Sequence, residues 1–472
     1  WLKWVGSRQH LTDLPWASAM RQQGVDIALA ALPATVLAAP GAACLLRHSR
    51  CAFEAPEPAS AGGNNFAKGA RWSPDGSAAL VVHDDGALRL YRPPAGSSGS
   101  GRCPAPAGAA APEALAPYAE AFEGGPVLDF CFFPGAGREN PAACSFITSS
   151  QGHPIHLRDA LAGELRNTYR PFNQVDEVCH AFSLCFSPDG GRILAGFEQV
   201  VRVFDVQRPG RQVEDWQLST RRGRGRGQKG IIGALAAAPA FPGLYAAGSY
   251  NRSVCAYHQC DPRRPVAWFA DVEADCVMGG VTQLVWAGEH LLLSGHRCDR
   301  WLRAWDVRMA QSGASTKAQS ARLRALLHRF PRPARTHQRF LFSAQGDLLT
   351  TGDDSGTVLV YSLSLLREMG RIPNAHTRPC VSAMLHPCLD RLLTASGERS
   401  FPNYDVESPP ASRSPSPEAL PQIQGGKRRL PRARKPSEPC RAGASGAAEV
   451  SCSLQFDNST RVWFLGWEPP RS

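Results

Sequence analysis

No two cysteines stand in a CxxC arrangement anywhere in this chain, and no cluster of ligand-type side chains shows zinc spacing, so neither a zinc module nor a dithiol redox motif is expected. GxSxG and HExxH are missing, no spaced set of carboxylates is present, and the 13 histidines are scattered, which removes the usual signs of hydrolytic chemistry. No enzyme is predicted. The 15 cysteines fall singly, as at Cys131, Cys185, Cys255, Cys298 and Cys380, mostly inside apolar runs. Their odd number and placement predict buried free thiols in a reducing compartment. One run, residues 27–46, has no charge for 20 residues, but it is alanine-rich and holds Pro33, Pro40 and Gly41, so a membrane anchor is not expected.

What the chain does have is a recurring phrase: an apolar strand, a tight polar turn, a second strand ending in small residues, and a third closing on a large, mostly aromatic residue. SLCFSPDGGRILAGFEQVVRVFDV (residues 183–206) is the clearest copy, with others at 70–91, 291–307 and 348–363. The third strands are expected to end at Tyr91, Leu157, Phe204, Tyr257, Trp305, Tyr361 and, less regularly, near Tyr404. That interval matches the roughly 40 to 45 residues of a WD-type blade plus insertions. The predicted fold is all-β, a seven-bladed WD-repeat β-propeller with disordered insertions.

The expected organisation is an Ala/Pro-rich lead-in at 1–63, the propeller at 64–405, a disordered basic Ser/Pro-rich insert at 406–447, and strands at 448–472 that close the last blade. A Gly/Ser/Pro/Ala insertion at 93–117 separates the first two blades, and ARLRALLHRF (321–330) is expected to add one or two helical turns. In a propeller, loops joining second to third strands, and one blade to the next, gather on one face, while turns such as SPDG gather on the other.

The formal net charge of +11 is concentrated. Residues 207–230 carry +5, residues 407–441 carry +5, and residues 311–345 hold seven basic groups without an acid. The remainder is therefore net acidic, and the pattern predicts local attraction for polyanions. RRGRGRGQKG (221–230) puts Arg221, Arg222, Arg224 and Arg226 among glycines, as in segments that grip phosphates and stack on bases. It lacks the Gly-Lys-Ser/Thr of a nucleotide-binding P-loop. Lys427, Arg428, Arg429, Arg432, Arg434 and Lys435, beside Ser-Pro steps, read as a nuclear import signal that phosphorylation would weaken.

Residues 163–211 and 230–253, with NFAKGARWSPDG, HPIHLRDALAGELR, THQRFLFSAQGDLLTTGDDSGTVLVY and LHPCLDRLLTASGERSFP elsewhere, resemble the telomerase Cajal body protein 1 family. The resemblance implies a nuclear WD-repeat RNA-binding protein. It would recognise a loop box of box H/ACA small Cajal body RNAs, with telomerase RNA as a candidate client, and direct their ribonucleoproteins to Cajal bodies in support of telomere maintenance. H/ACA ribonucleoprotein proteins are the implied partners, with no cofactor, metal, membrane or small-molecule substrate. A protein scaffold for nuclear complexes such as DNA-repair factors is the alternative.

An unpaired RNA box needs flat groups for its bases, donors for their edges and cations for its phosphates. On the loop face the candidates are Phe172 and Tyr250 for stacking, Arg252, Arg300, Arg339 and Arg399 for phosphates or stacking, Asn173, Asn251 and Gln338 for edges, and Lys229 at a blade entry. The turn aspartates Asp84, Asp85, Asp299, Asp353 and Asp354, and His376, are expected to be structural.

Overall fold

The computed structural model describes residues 36–37, 44–46, 65–93, 114–218, 227–271, 278–310, 325–387, 391–398, 457–464 and 467–468. The clearest repeat copy shows how the sequence makes a blade. Ser183–Phe186, Arg192–Gly196, Val200–Asp205 and Glu214–Gln217 form one antiparallel four-stranded sheet in that order. Between the first two strands, Asp189 Oδ1 accepts the Gly191 N–H at 3.0 Å while Gly190 takes φ +73°. A Cβ on Gly190 would also lie 2.5 Å from the Phe133 ring, so the turn requires glycine twice over.

Four more blades repeat this pattern. The first is Ala67–Trp72, Ala79–His83, Ala87–Tyr91 and Ala119–Phe122; the second is Val127–Phe132, Ser145–Ser150, Ile155–Asp159 and Leu165–Arg170, edged by a parallel strand at Gly210–Arg211. The fourth is Ile232–Ala237, Leu244–Ser249, Ser253–His258 and Ala267–Phe269, and the fifth is Val281–Ala287, Leu291–His296, Trp301–Asp306 and Leu326–Pro331.

Each sheet buries both faces against its neighbours, which is why its second and third strands read as continuous apolar runs. Between the third and fourth blades, Trp216 stacks on Tyr245 at 5.1 Å and Tyr245 on Tyr257 at 5.6 Å. Leu194, Val203, Ile232 and Ala247 fill the same layer. Ring closure joins the ends of the repeat array: Trp72 donates its indole N–H to the Met384 carbonyl at 3.0 Å, and Ala70 and Tyr91 pack with Val381, Leu393 and Val462. The sheets are arranged as a β-propeller.

Three expectations need correction. Five blades stand as separate sheets, not seven. The remaining strands, apart from the Val36–Leu37 and Trp467–Glu468 pair, belong to one nine-stranded sheet, because Leu341–Phe342 pairs in parallel with Ser382–Ala383 and so merges the Leu341–Ile372 strands with those from Cys380 onward. Next, ARLRALLHRF holds no helical turn among its described residues. Leu326–Pro331 is an outer strand whose ladder to Trp301–Trp305 outweighs its helix propensity, and the only helical element among the described residues is a 3₁₀ turn at Val307–Met309. Finally, the third strand paired to Arg391–Ser396 is Thr460–Phe464, ending in Trp463 and Phe464, whereas Tyr404 lies outside the described residues.

Thr460–Phe464 pairs in turn with Cys44–Leu46, which pairs with Ala114–Leu115, while Val36–Leu37 pairs with Trp467–Glu468. Segments from the expected lead-in and from the first insertion thus enter the sheets. Cys131, Cys144, Cys179, Cys185, Cys260, Cys298 and Cys380 form no disulfide, and the exposed Cys260 and Cys298 depart from the buried placement expected.

Candidate nucleic-acid interface

Lys229, Tyr250, Arg252, Arg300, Gln338 and Arg339, like Phe172 and Asn173, fall in blade-to-blade or second-to-third-strand connections. Strand direction alternates, so all these connections open on the face opposite the SPDG turns. One continuous set of contacts then links several of them. Ser249 Oγ donates to the Lys229 carbonyl at 2.5 Å, and the Tyr250 N–H donates to the Ile231 carbonyl at 2.9 Å. Arg297 N–H donates to the Gly280 carbonyl at 2.8 Å, Cys298 N–H to the Thr336 carbonyl at 3.3 Å, and Arg332 N–H to the Arg300 carbonyl at 2.6 Å.

An arc of cations follows this path. Lys229, Arg252, Arg300 and Arg335 are exposed and Arg297 is half-buried. The acid nearest in sequence, Asp299, is buried and committed to the Arg303 guanidinium at 2.7 Å and the Gly279 N–H at 3.1 Å. Fully buried Arg303 also bonds Asp271 at 2.7 Å, so this ion cluster holds up the arc without cancelling it.

Arg332 is wholly buried yet only its Nη2 has an acceptor, the His296 carbonyl at 2.8 Å; Nε and Nη1 have no partner among the described residues. Burial pushes its pKa down to about 10, which still leaves it charged at neutral pH. Arg297 Nε and Thr336 Oγ1 are likewise enclosed without partners. Unsatisfied donors and acceptors gathered in one place are costly, and a ligand phosphate or bridging water is the ordinary remedy.

Tyr250 packs where Gly233 has no side chain, since a Cβ there would fall 2.0 Å from Cε1, and the Arg297 guanidinium lies 4.1 Å from its ring centroid. Sequence reading missed Arg297, which sits only three residues before Arg300; the SGHRCDRW turn could have flagged it, but its partner ring comes from another blade. Arg252 adopts φ +61° at the tip of its turn, which leaves its side chain exposed.

The other candidates sit apart from the arc. Arg211 covers the Phe172 ring at 4.8 Å, and Asn173 spends its side chain on the Val175 and Glu177 N–H groups at 2.9 Å and on the Glu177 carboxylate at 3.0 Å. Arg339 turns inward, donating to Asp129 at 2.7 Å and to the Leu128 carbonyl at 3.2 Å. Gln338 donates to the Gly397 carbonyl at 3.2 Å. Arg399, the Arg221–Arg226 positions and the 427–435 basic run lie outside the described residues.

Three of the turn aspartates cap local N–H groups: Asp85 bonds Ala87, Asp299 bonds Trp301, and Asp353 bonds Ser355 and Thr357, while Asp84 instead faces Lys68 at 3.5 Å. His376 bridges Thr394 at 2.8 Å and Ser459 at 3.1 Å, while Trp463 donates to the same Thr394 hydroxyl at 2.9 Å. In the fifth blade an equivalent relay uses a strand histidine. Trp305 donates to Ser294 at 2.8 Å, Ser294 contacts His296 Nε2 at 2.9 Å, and His296 Nδ1 reaches the Gly279 carbonyl at 3.2 Å.

A closed set of repeat-built sheets with a cationic loop face defines a WD-repeat scaffold. No family model matches the chain. It is similar to telomerase Cajal body protein 1 of Rattus norvegicus, 37% identical over 350 residues, and of Homo sapiens, 35% over 346, in each case over 72% of this chain and 60% and 58% of the relative. The telomerase Cajal body protein 1 homolog of Drosophila melanogaster is 30% identical over 352 residues, covering 73% of this chain and 59% of that one. Over this shared stretch the chain belongs to the telomerase Cajal body protein 1 family, and it spans about three fifths of the length of these relatives.

Proposed function

We propose that this protein is a non-catalytic RNA-binding propeller that holds an unpaired loop box of box H/ACA small Cajal body RNAs on its loop face and brings their ribonucleoproteins to nuclear Cajal bodies. Telomerase RNA is a candidate client, and H/ACA proteins are candidate partners. The observation that carries this reading is the contiguous arc of Lys229, Tyr250, Arg252, Arg297 and Arg300, where cations, a planar ring and unused buried donors meet, with the exposed Glu198 as a neighbour through its bridge to Ile231. The names of the relatives favour the Cajal body and telomerase setting. Arg221, Arg222, Arg224 and Arg226 would extend the grip on phosphates, and the 427–435 run would serve nuclear import.

We read the nine-stranded sheet as two further blades fused by the Leu341–Phe342 pairing, giving seven in all. A second reading, a protein scaffold, draws on Val175 and Val178, which are 71% and 47% exposed in the loop that follows Phe172.

Fluorescence anisotropy with a labelled RNA hairpin tests the proposal. Tight binding that depends on the loop sequence, lost on Arg252→Ala and Arg297→Ala, is expected. Equal affinity for a loopless duplex of the same length defeats it.

A further inference from the structure

We propose that the propeller axis carries a separate binding site for a small oxyanion, a phosphate or carboxylate, held between Arg71 and Arg339. A cavity of about 280 Å³ lies where the innermost strands converge, and its ionised lining groups are Arg71, Arg339 and Asp129. The Cys131 and Cys185 thiols also face it, and burial pushes both up, Cys185 to about 12, so they stay neutral. The remaining wall is apolar apart from Gln283, whose amide is spent on the Phe342 backbone at 2.9 Å in both directions, and Trp286, whose N–H is spent on the Ala236 carbonyl at 3.1 Å.

Asp129 already accepts three hydrogen bonds from the protein. Its Oδ1 accepts the Phe130 N–H at 2.9 Å and Arg339 Nη1 at 2.7 Å, and its Oδ2 accepts the Leu184 N–H at 2.8 Å. Arg71 approaches it only to 3.9 Å. The cavity therefore encloses two guanidiniums and one carboxylate, one negative charge short. Arg71 and Arg339 line the cavity with side chains 22% and 20% exposed, yet the Nε–H of each is enclosed without an acceptor among the described residues. Enclosed cations are stabilised by a matching anion, and guanidinium forks fit the two oxygens of a phosphate or carboxylate. The apolar wall from Ala234 to Ala237 and Trp286 would take the organic part of such a ligand.

The test is calorimetric titration of inorganic phosphate, and separately acetate, into the full chain at constant ionic strength held with chloride. One saturable site is expected, and the stronger probe identifies the ligand class. Arg71→Gln should weaken it at least tenfold and Arg71→Lys less, with hairpin RNA affinity unchanged within twofold; Arg71→Met, which keeps the aliphatic stem, stands in if Arg71→Gln does not fold. No saturable binding by either probe, or binding insensitive to Arg71 and lost on Arg252→Ala or Arg297→Ala, overturns the proposal and leaves the RNA reading untouched.

Discussion

Ser382 and Ala70, 312 residues apart, exchange two hydrogen bonds: the Ala70 N–H donates to Ser382 Oγ at 3.3 Å, and that hydroxyl donates to the Ala70 carbonyl at 2.9 Å. The bonds tie the innermost strand of the first blade to the nine-stranded sheet and so close the ring. Ser382→Ala should lower the free energy of unfolding by about 1–3 kcal/mol, because it removes a buried hydroxyl from two backbone partners. Urea denaturation measures this, and a loss below about 0.5 kcal/mol would mean that other contacts close the ring.

Asp271 is the shared anion of the fifth blade, bonded at 2.7 Å by both Arg303 and Arg329. Asp271→Ala takes one of its carboxylate partners from the fully buried Arg303, which keeps Asp299. We expect a loss of about 3–5 kcal/mol, the usual cost of removing one partner from a buried ion cluster. A variant as stable as the parent would show that water reaches Arg303.

His296 gives the fold a pH dependence. Burial first, then the nearby Arg303, holds its pKa down to about 3, against 6.5 for a free imidazole. Below pH 6.5 the unfolded chain takes up a proton that the folded chain refuses, so stability falls as pH drops through 6.5 toward 3. Between pH 7 and pH 5 this one group accounts for about 2 kcal/mol. Glu123 adds to the fall lower down. Burial opposes its ionisation, but His156, Arg158 and Thr148 hold its pKa down to about 2, so its contribution is present above 4.5 and is lost as pH falls toward 2. Urea unfolding at the two pH values should show a shallower slope for His296→Gln; an unchanged slope contradicts the assignment.

Gly233→Ala reaches the RNA surface from within its strand. The added methyl would displace the Tyr250 ring and with it the Arg297 guanidinium stacked above, and the overlap also lowers the unfolding midpoint. We expect hairpin affinity, measured on the folded variant well below that midpoint, to fall at least fivefold, an energy of about 1 kcal/mol. Unchanged affinity would remove Tyr250 and Arg297 from the contact surface.

The third strands were legible because their ends are marked: Tyr91, Phe204, Tyr257, Trp305 and Tyr361 each lie in or at the end of the strand the repeat predicts. Trp463 was harder to place, since a long insert of different composition separates it from its partner strand at Arg391–Ser396, and pairing across such a gap leaves no local signal. Residues 321–330 misled because their Leu, Arg and Ala content favours a helix in isolation. At the candidate interface, loop membership could be read from the repeat alone. Side-chain direction could not: Arg339 turns to Asp129, Asn173 folds into its own turn, and the role of Arg297 depends on a ring from the neighbouring blade.

Ultraviolet crosslinking of a hairpin RNA to the full chain, with the attached peptides mapped by mass spectrometry, tests the central claim most directly. Adducts should concentrate at residues 229–231, 250–252 and 297–300. Adducts confined to the SPDG turns at residues 73–77 and 187–191, on the opposite face, would contradict it.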